Sequence, residues 1–158
     1  EVDGISYHFL TRTIFEDMIR KDGFLEYACV YDNYYGTPKD FVVDQISKGR
    51  NVLLEIDIQG ALQVKKKYPE GVFVFILPPS MQTLKDRIVG RGSETQESLN
   101  KRLSSAFGEI ELIKNYDYFI VNDTVNNATD LLQAIITAEK CRVDADIVDI
   151  VRKFKEEK

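Results

Sequence analysis

Glu26 is followed eleven residues later by Thr37, which closes the cluster Asn33-Tyr34-Tyr35-Gly36-Thr37. Such a set can read the edge of guanine. N1–H and the exocyclic amine are adjacent donors beside the acceptor O6, so one carboxylate and one hydroxyl match that edge, and a tyrosine hydroxyl can bond a 5′-phosphate. Glu26, Thr37 and Tyr35 supply these three groups. An Asn-x-x-Gly run with flanking aromatics is equally how a β-turn between two half-buried strands is written, so the cluster by itself leaves both readings open.

The elements that must hold these groups follow from periodicity and punctuation. Ile14, Phe15, Met18 and Ile19 repeat at helical spacing, which predicts an amphipathic helix over residues 13–20 stopped by Asp22-Gly23. Residues 7–10, 24–30 and 34–36 alternate as strands of a small mixed sheet. Past Pro38 the pattern turns to helix–strand alternation. Phe41, Val42 and Ile46 predict a helix closed by Lys48-Gly49, followed by a buried strand at 52–56, a helix at 60–67 and a strand at 72–77. Pro78-Pro79 breaks the unit. Residues 81–90 and 95–113 then read as helices, 93–96 as a loop carrying a helix-start signal, and 118–121 as a last strand before two terminal helices. This alternation predicts an α/β protein with a parallel sheet. In open parallel sheets ligands sit beyond the C-terminal ends of the strands, where Glu55, Asp57, Asn122 and Asp123 fall. By position alone, Glu55 and Asp57 could equally be a solvated strand end or a fold-holding ion pair.

Several motifs occur together. Tyr7, Glu26, Tyr35 and Thr37 are followed by Glu55-Ile56-Asp57-Ile58-Gln59-Gly60, Phe75-Ile76-Leu77-Pro78-Pro79-Ser80, Gly90-Arg91-Gly92 and Ile120-Val121-Asn122-Asp123. In that order, from Glu1 to roughly Glu139, the chain closely resembles guanylate kinase. The resemblance implies a P-loop-type nucleoside monophosphate kinase core, a parallel sheet flanked by helices, with a small mixed-sheet GMP-binding domain and a helical lid. It places the GMP-binding domain at 1–38, the core at 39–80 and 114–158, and the lid at 81–113. It implies transfer of the γ-phosphate of ATP to GMP, giving ADP and GDP. One departure accompanies it. The family begins with a strand, a G-x-x-x-x-G-K-[ST] phosphate loop, a helix and a Thr-Arg-x-x-Arg-x-Gly-Glu segment; the loop motif is not in these residues, and Glu1 matches the Glu that closes that segment. A polypeptide of these residues alone is then expected to lack the cradle for ATP phosphates, to show no measurable transfer, and to leave the 52–56 strand with an unpaired edge.

The arginines carry the mechanistic expectation. Arg87 and Arg91 are four residues apart and Arg102 lies eleven further on, around the glycine-bracketed Gly90-Arg91-Gly92. Phosphoryl transfer brings several anionic oxygens together, and arginines that arrive as a site closes align and neutralise them. Arg87, Arg91 and Arg102 match the lid arginines of guanylate kinases, whereas Lys65, Lys66, Lys67 and Lys101 read as a solvated helix face. The resemblance places Glu55 and Asp57 beside the phosphates and the GMP base, Asp57 organising the metal's water shell or the substrate arginines. Asn122 then lies near the adenine of ATP, although Asn-Asp after a strand also caps helices. Mg²⁺ enters on ATP with mostly water ligands, so no His or Cys cage is expected. Two rival classes fit the residues less well. An adenylate or pyrimidine kinase would not set a carboxylate against adenine N1, an acceptor. A catalytically inactive guanylate kinase-like protein-binding module would have no use for three lid arginines.

Composition bounds the remainder. The chain of 158 residues is 44% hydrophobic and 30% charged, enough for a core of its own. A net charge of −5 and a pI near 5.0 argue against nucleic acid or an anionic membrane as a partner. GMP and ATP are the expected partners, a homodimer is left open, and the cytoplasm is the expected location. Cys29 and Cys141 lack metal or disulfide spacing and are expected to be buried free thiols; His8 is expected to be structural.

Overall fold

The computed structural model describes residues 2–4, 7–30, 33–90, 96–143 and 147–156. They form two compact units, Glu1–Phe73 and Val74–Lys158.

In the first unit, helix α1 (Arg12–Arg20) starts where the Thr11 hydroxyl accepts the Ile14 N–H, and stops at Asp22, whose φ of 51° is left-handed. Its buried Phe15 stacks on Phe24 at 4.3 Å and on Tyr34 at 5.1 Å. Burying one such ring contributes roughly 1.5–3 kcal/mol. Strands β1 (Phe24–Val30) and β2 (Asn33–Pro38) pair antiparallel. A Cβ on Gly36 would lie 2.9 Å from the Glu26 carbonyl oxygen and 3.1 Å from the Phe15 ring, so the aromatic stack closes over a glycine. Helix α2 (Lys39–Ser47) follows, ending before Gly49 at φ 71°, and helix α3 (Ile58–Lys67) is capped by Asp57.

Helix α3 occupies the edge of β1 that β2 leaves open. The Gln63 side-chain amide donates to the Tyr27 carbonyl at 3.0 Å and accepts the Tyr27 N–H at 3.2 Å, taking the place of a neighbouring strand. One turn further, the Lys67 ammonium donates to the Phe24 carbonyl at 2.8 Å. The same ammonium lies 3.0 Å from Asp22 Oδ1, while Lys39 lies 2.8 Å from Asp22 Oδ2. Asp22 thereby joins the ends of α1 and α3 to the start of α2.

In the second unit, strands β3 (Val74–Leu77) and β4 (Tyr118–Val121) pair in parallel, in register from Val74 opposite Tyr118 to Leu77 opposite Val121. Phe75 and Ile120 are buried, and Phe75 meets Tyr116 edge-on at 4.9 Å. Between the strands run helices α4 (Met81–Gly90) and α5 (Gln96–Ile110) and a 3₁₀ turn, Glu111–Asn115. Helix α6 (Val125–Glu139) is capped by Thr124 and tied to β4 by the Tyr118 hydroxyl, 2.5 Å from Glu139; helix α7 (Ile147–Glu156) follows.

Several expectations are corrected. Residues 51–57 form no ladder, and Leu53 is 72% exposed: the apolar run has no partner strand among the described residues, and periodicity without a partner makes no strand. Residues 7–10 contribute only a bridge from Tyr7 to Asp3, because the Tyr7 carbonyl accepts the Gly4 N–H and the Phe9 N–H goes to the Asp3 carboxylate. The small sheet is therefore an antiparallel hairpin rather than mixed. The second long helix runs from Gln96, expected in the preceding loop, to Ile110 rather than to 113, where a 3₁₀ turn takes over; residues 93–95 of the expected loop lie outside the described residues. Both cysteines are exposed free thiols, Cys29 towards the tip of the hairpin and Cys141 in the turn after α6. Lys65 and Lys67 are not merely solvated: Lys65 lies 4.7 Å from the centre of the Phe73 ring.

The Lys39 and Lys67 bonds lower the Asp22 carboxyl from its ordinary 3.8 to about 2. A lowered folded value means that these pairs stabilise the fold above pH 3.8, and that this contribution disappears as pH falls through about 2. Asp22→Asn keeps a residue tolerant of the left-handed backbone. It should lower the urea midpoint at pH 7, with the gap from the parent closing between pH 4 and 2; equal midpoints at pH 7 would show that the exposed pairs contribute nothing.

Candidate functional site

The first unit gathers four of the expected residues. Strand β1 changes register between Phe24, opposite Pro38, and Glu26, opposite Thr37. The bulge buries Phe24, Leu25 and Glu26 consecutively, which simple alternation would forbid. Beyond it, the two-residue period puts Glu26, Ala28, Tyr35 and Thr37 on one face, opposite the Phe15–Tyr34 stack. Glu26 is 7% exposed, the one charged side chain buried among the described residues. Its Oε1 accepts the Thr37 hydroxyl at 2.6 Å. A buried carboxylate without such donors would cost several kcal/mol. Tyr7 and Tyr35, each about half-exposed, meet edge-on at 6.1 Å on this same face.

The start of α3 closes the site from behind. Asp57 Oδ1 accepts the Gly60 N–H at 2.7 Å, the bond that caps the helix, and a Cβ on Gly60 would fall 2.9 Å from Glu26 Oε2. Asp57 thus has a structural partner that neither the metal-water nor the arginine reading anticipated. Glu55 is exposed in the ladderless segment.

The second unit holds the other expected residues. Asn122 extends the parallel pair by donating its backbone N–H to Leu77 at 2.7 Å, just past the C-terminal ends of β3 and β4. Arg87, in the last turn of α4, donates to the Asp123 carbonyl at 3.2 Å, so Arg87 and the Asn122-Asp123 pair share that strand end. The Asp123 carboxyl is held below its ordinary value, chiefly by the Thr124 N–H and then by the Asn127 amide, with the Arg87 guanidinium adding to it. Arg102 is exposed on α5, and Arg91 lies outside the described residues. Sequence reasoning missed Gln63, Lys67 and Asp22; the available signal was the four-residue spacing of Gln63 and Lys67 on one helix face.

Fold and site together define an α/β protein that buries a carboxylate–hydroxyl pair on a small hairpin beside the start of a helix. The family model described as guanylate kinase matches residues 1–139. A guanylate kinase of Clostridium acetobutylicum is 62% identical over 144 residues, covering 91% of this chain and 69% of the relative. One from Clostridioides difficile is 52% identical over 157 residues, covering 99% and 77%. The crystal structure of guanylate kinase from Anaplasma phagocytophilum superposes with a TM-score of 0.75 at 33% identity, covering 90% and 70%. The chain belongs to the guanylate kinase family.

Thr37→Val keeps shape while removing the donor to a buried carboxylate. It should cost about 1.5–3 kcal/mol of stability, as hydrogen bonds to charged groups do. Urea unfolding measures it, and a loss within error of zero would mean that Glu26 is held by other groups.

Proposed function

We propose that the protein carrying these residues transfers the γ-phosphoryl group of ATP to GMP, giving ADP and GDP, in the cytoplasm. A GMP phosphate oxygen attacks the γ-phosphorus and the bond to the β–γ bridging oxygen breaks, so the products carry every atom of the reactants. The observation that carries the reading is the buried Glu26 bonded to Thr37: an ionised carboxylate offers only acceptors, and guanine N1–H and the 2-amine are adjacent donors. Adenine N1 would meet that carboxylate with like polarity. The relatives compared above are named as guanylate kinases, and no observation favours the protein-binding module.

In this reading Tyr7 and Tyr35 bind the 5′-phosphate from the face they share with Glu26. Arg87, Arg91 and Arg102 neutralise the transferred group; the lid that carries them is 81–113, the core 39–80 and 114–158, and the GMP-binding domain 1–38. Asn122 contacts the adenine amine. Glu55 and Asp57 act beside the phosphates and the GMP base, Asp57 organising the metal's water shell or the substrate arginines while its carboxylate also caps α3. Mg²⁺ comes in on ATP, held by the nucleotide's phosphates and mostly by water. No helix of the described residues is long and apolar enough to cross a membrane.

Two measurements test this reading in the intact protein. Glu26→Gln turns an NH₂ towards one guanine donor, and calorimetry should show GMP affinity lowered about tenfold to a hundredfold, the cost of one buried polar mismatch. Equal affinity would remove the assignment. Changing Arg102 or Arg91 to Ala should lower kcat by on the order of 10²–10³ with a much smaller change in GMP affinity. An unchanged kcat for both would return these residues to a solvated surface.

A further inference from the structure

Gly60 stands in the first turn of α3, where glycine is a poor choice for helix formation and alanine a good one. It is also buried, and its Cα faces the oxygen of Glu26 that Thr37 does not hold. A Cβ there would lie 2.9 Å from Glu26 Oε2, 3.2 Å from Glu26 Cδ and 3.3 Å from Asp57 Oδ1. Contacts this short force something to move. The backbone of Gly60 is fixed, because its N–H is the one Asp57 accepts at 2.7 Å and α3 is clamped to β1 through Gln63. Glu26 is therefore the group that would shift, and with it the 2.6 Å bond to Thr37.

We propose that Gly60 is a positioning residue for base recognition: the missing Cβ lets the Glu26 carboxylate seat against the first turn of α3 with both oxygens aligned to the base edge. The inference rests on Glu26 being the acceptor of the guanine donors. Guanine carries two of them towards a carboxylate, N1–H and the 2-amine, so a carboxylate pushed aside loses registry with one or both. Inosine 5′-monophosphate keeps N1–H and O6 but lacks the 2-amine, and so reports on that registry separately from general damage.

The test compares the intact protein with Gly60→Ala, using GMP and inosine monophosphate as alternative acceptors. Gly60→Ala should lower kcat/KM for GMP by about tenfold or more and reduce the preference for GMP over inosine monophosphate, with KM for ATP unchanged. An unchanged preference overturns the proposal. So does an equal loss when the same change is made in a Glu26→Ala background, because two residues acting through one contact are not additive. That background also covers a variant that fails to fold. With the carboxylate gone the added methyl has room, so Glu26→Ala with Gly60→Ala should melt higher than Glu26→Ala alone, whereas Gly60→Ala melts lower than the parent; a double variant that melts lower still refutes the contact. A parent protein with no preference for GMP over inosine monophosphate would instead refute the reading of Glu26, a result visible before Gly60 is touched.

Discussion

The first unit depends on how the open edge of β1 is satisfied. A two-stranded hairpin leaves each strand with an outer edge of unpaired N–H and C=O groups, and such a hairpin is marginal in water. Here the edge is covered by side chains of one helix: the Gln63 amide takes both backbone groups of Tyr27, and Lys67 takes the Phe24 carbonyl. A side-chain amide carries the same donor and acceptor as a peptide, so it can stand in for one residue of a strand. Because Gln63 and Lys67 lie one turn apart, their two anchor points fix both the distance and the direction of α3 along β1.

That geometry puts the start of α3 beside Glu26. The helix is four residues upstream of Lys67 at Gln63 and a further three at Gly60, so once the edge bonds form, the Asp57 cap and the Gly60 backbone come to rest on the carboxylate. The bulge at Leu25 acts from the other side by turning Glu26 inward next to two buried apolar residues. Low exposure strengthens whatever bonds the carboxylate makes and makes an unbonded one costly. The hairpin, the bulge and the edge clamp thus converge on a single charged group.

Local punctuation was readable in the sequence and pairing was not. Asp22-Gly23 and Gly49 end α1 and α2 through left-handed backbone, and the strands at 24–30 and 118–121 stand where alternation put them, each beside a partner in the same unit. Residues 52–56 carry the same apolar signal, but a strand exists only through its neighbour and the described residues provide none. At the site, the types of Tyr7, Glu26, Tyr35 and Thr37 were legible, and two-residue periodicity brings Glu26, Tyr35 and Thr37 to one face. The bulge that buries Glu26 was not, because it depends on a one-residue register shift rather than on composition. For Gln63 only its four-residue spacing from Lys67 was legible, because an amide that bonds backbone leaves no pattern in side-chain chemistry to say what it binds. Asp57 caps α3 through the Gly60 N–H, a role that the expected strand over 52–56 hid by putting it at a strand end rather than at a helix start.

The direction of the Glu26–Thr37 bond decides what the pair can present to a base. A hydroxyl has one proton, and here Thr37 gives it to Glu26 Oε1 at 2.6 Å, the only direction open to an ionised carboxylate. What remains on Thr37 is lone pairs. The buried pair therefore presents a row of acceptors, carboxylate and hydroxyl oxygen together, and suits a ligand edge with donors in a row. Guanine has three such hydrogens, one on N1 and two on the 2-amine, whereas adenine offers an acceptor at N1. A neutral amide in place of Glu26 would break the pattern twice, by putting a donor in the row and by leaving the Thr37 proton free to point elsewhere. In the proposed function it is the polarity of this two-residue unit that separates guanine from adenine, with Thr37 oriented by Glu26 as well as by the strand that carries it.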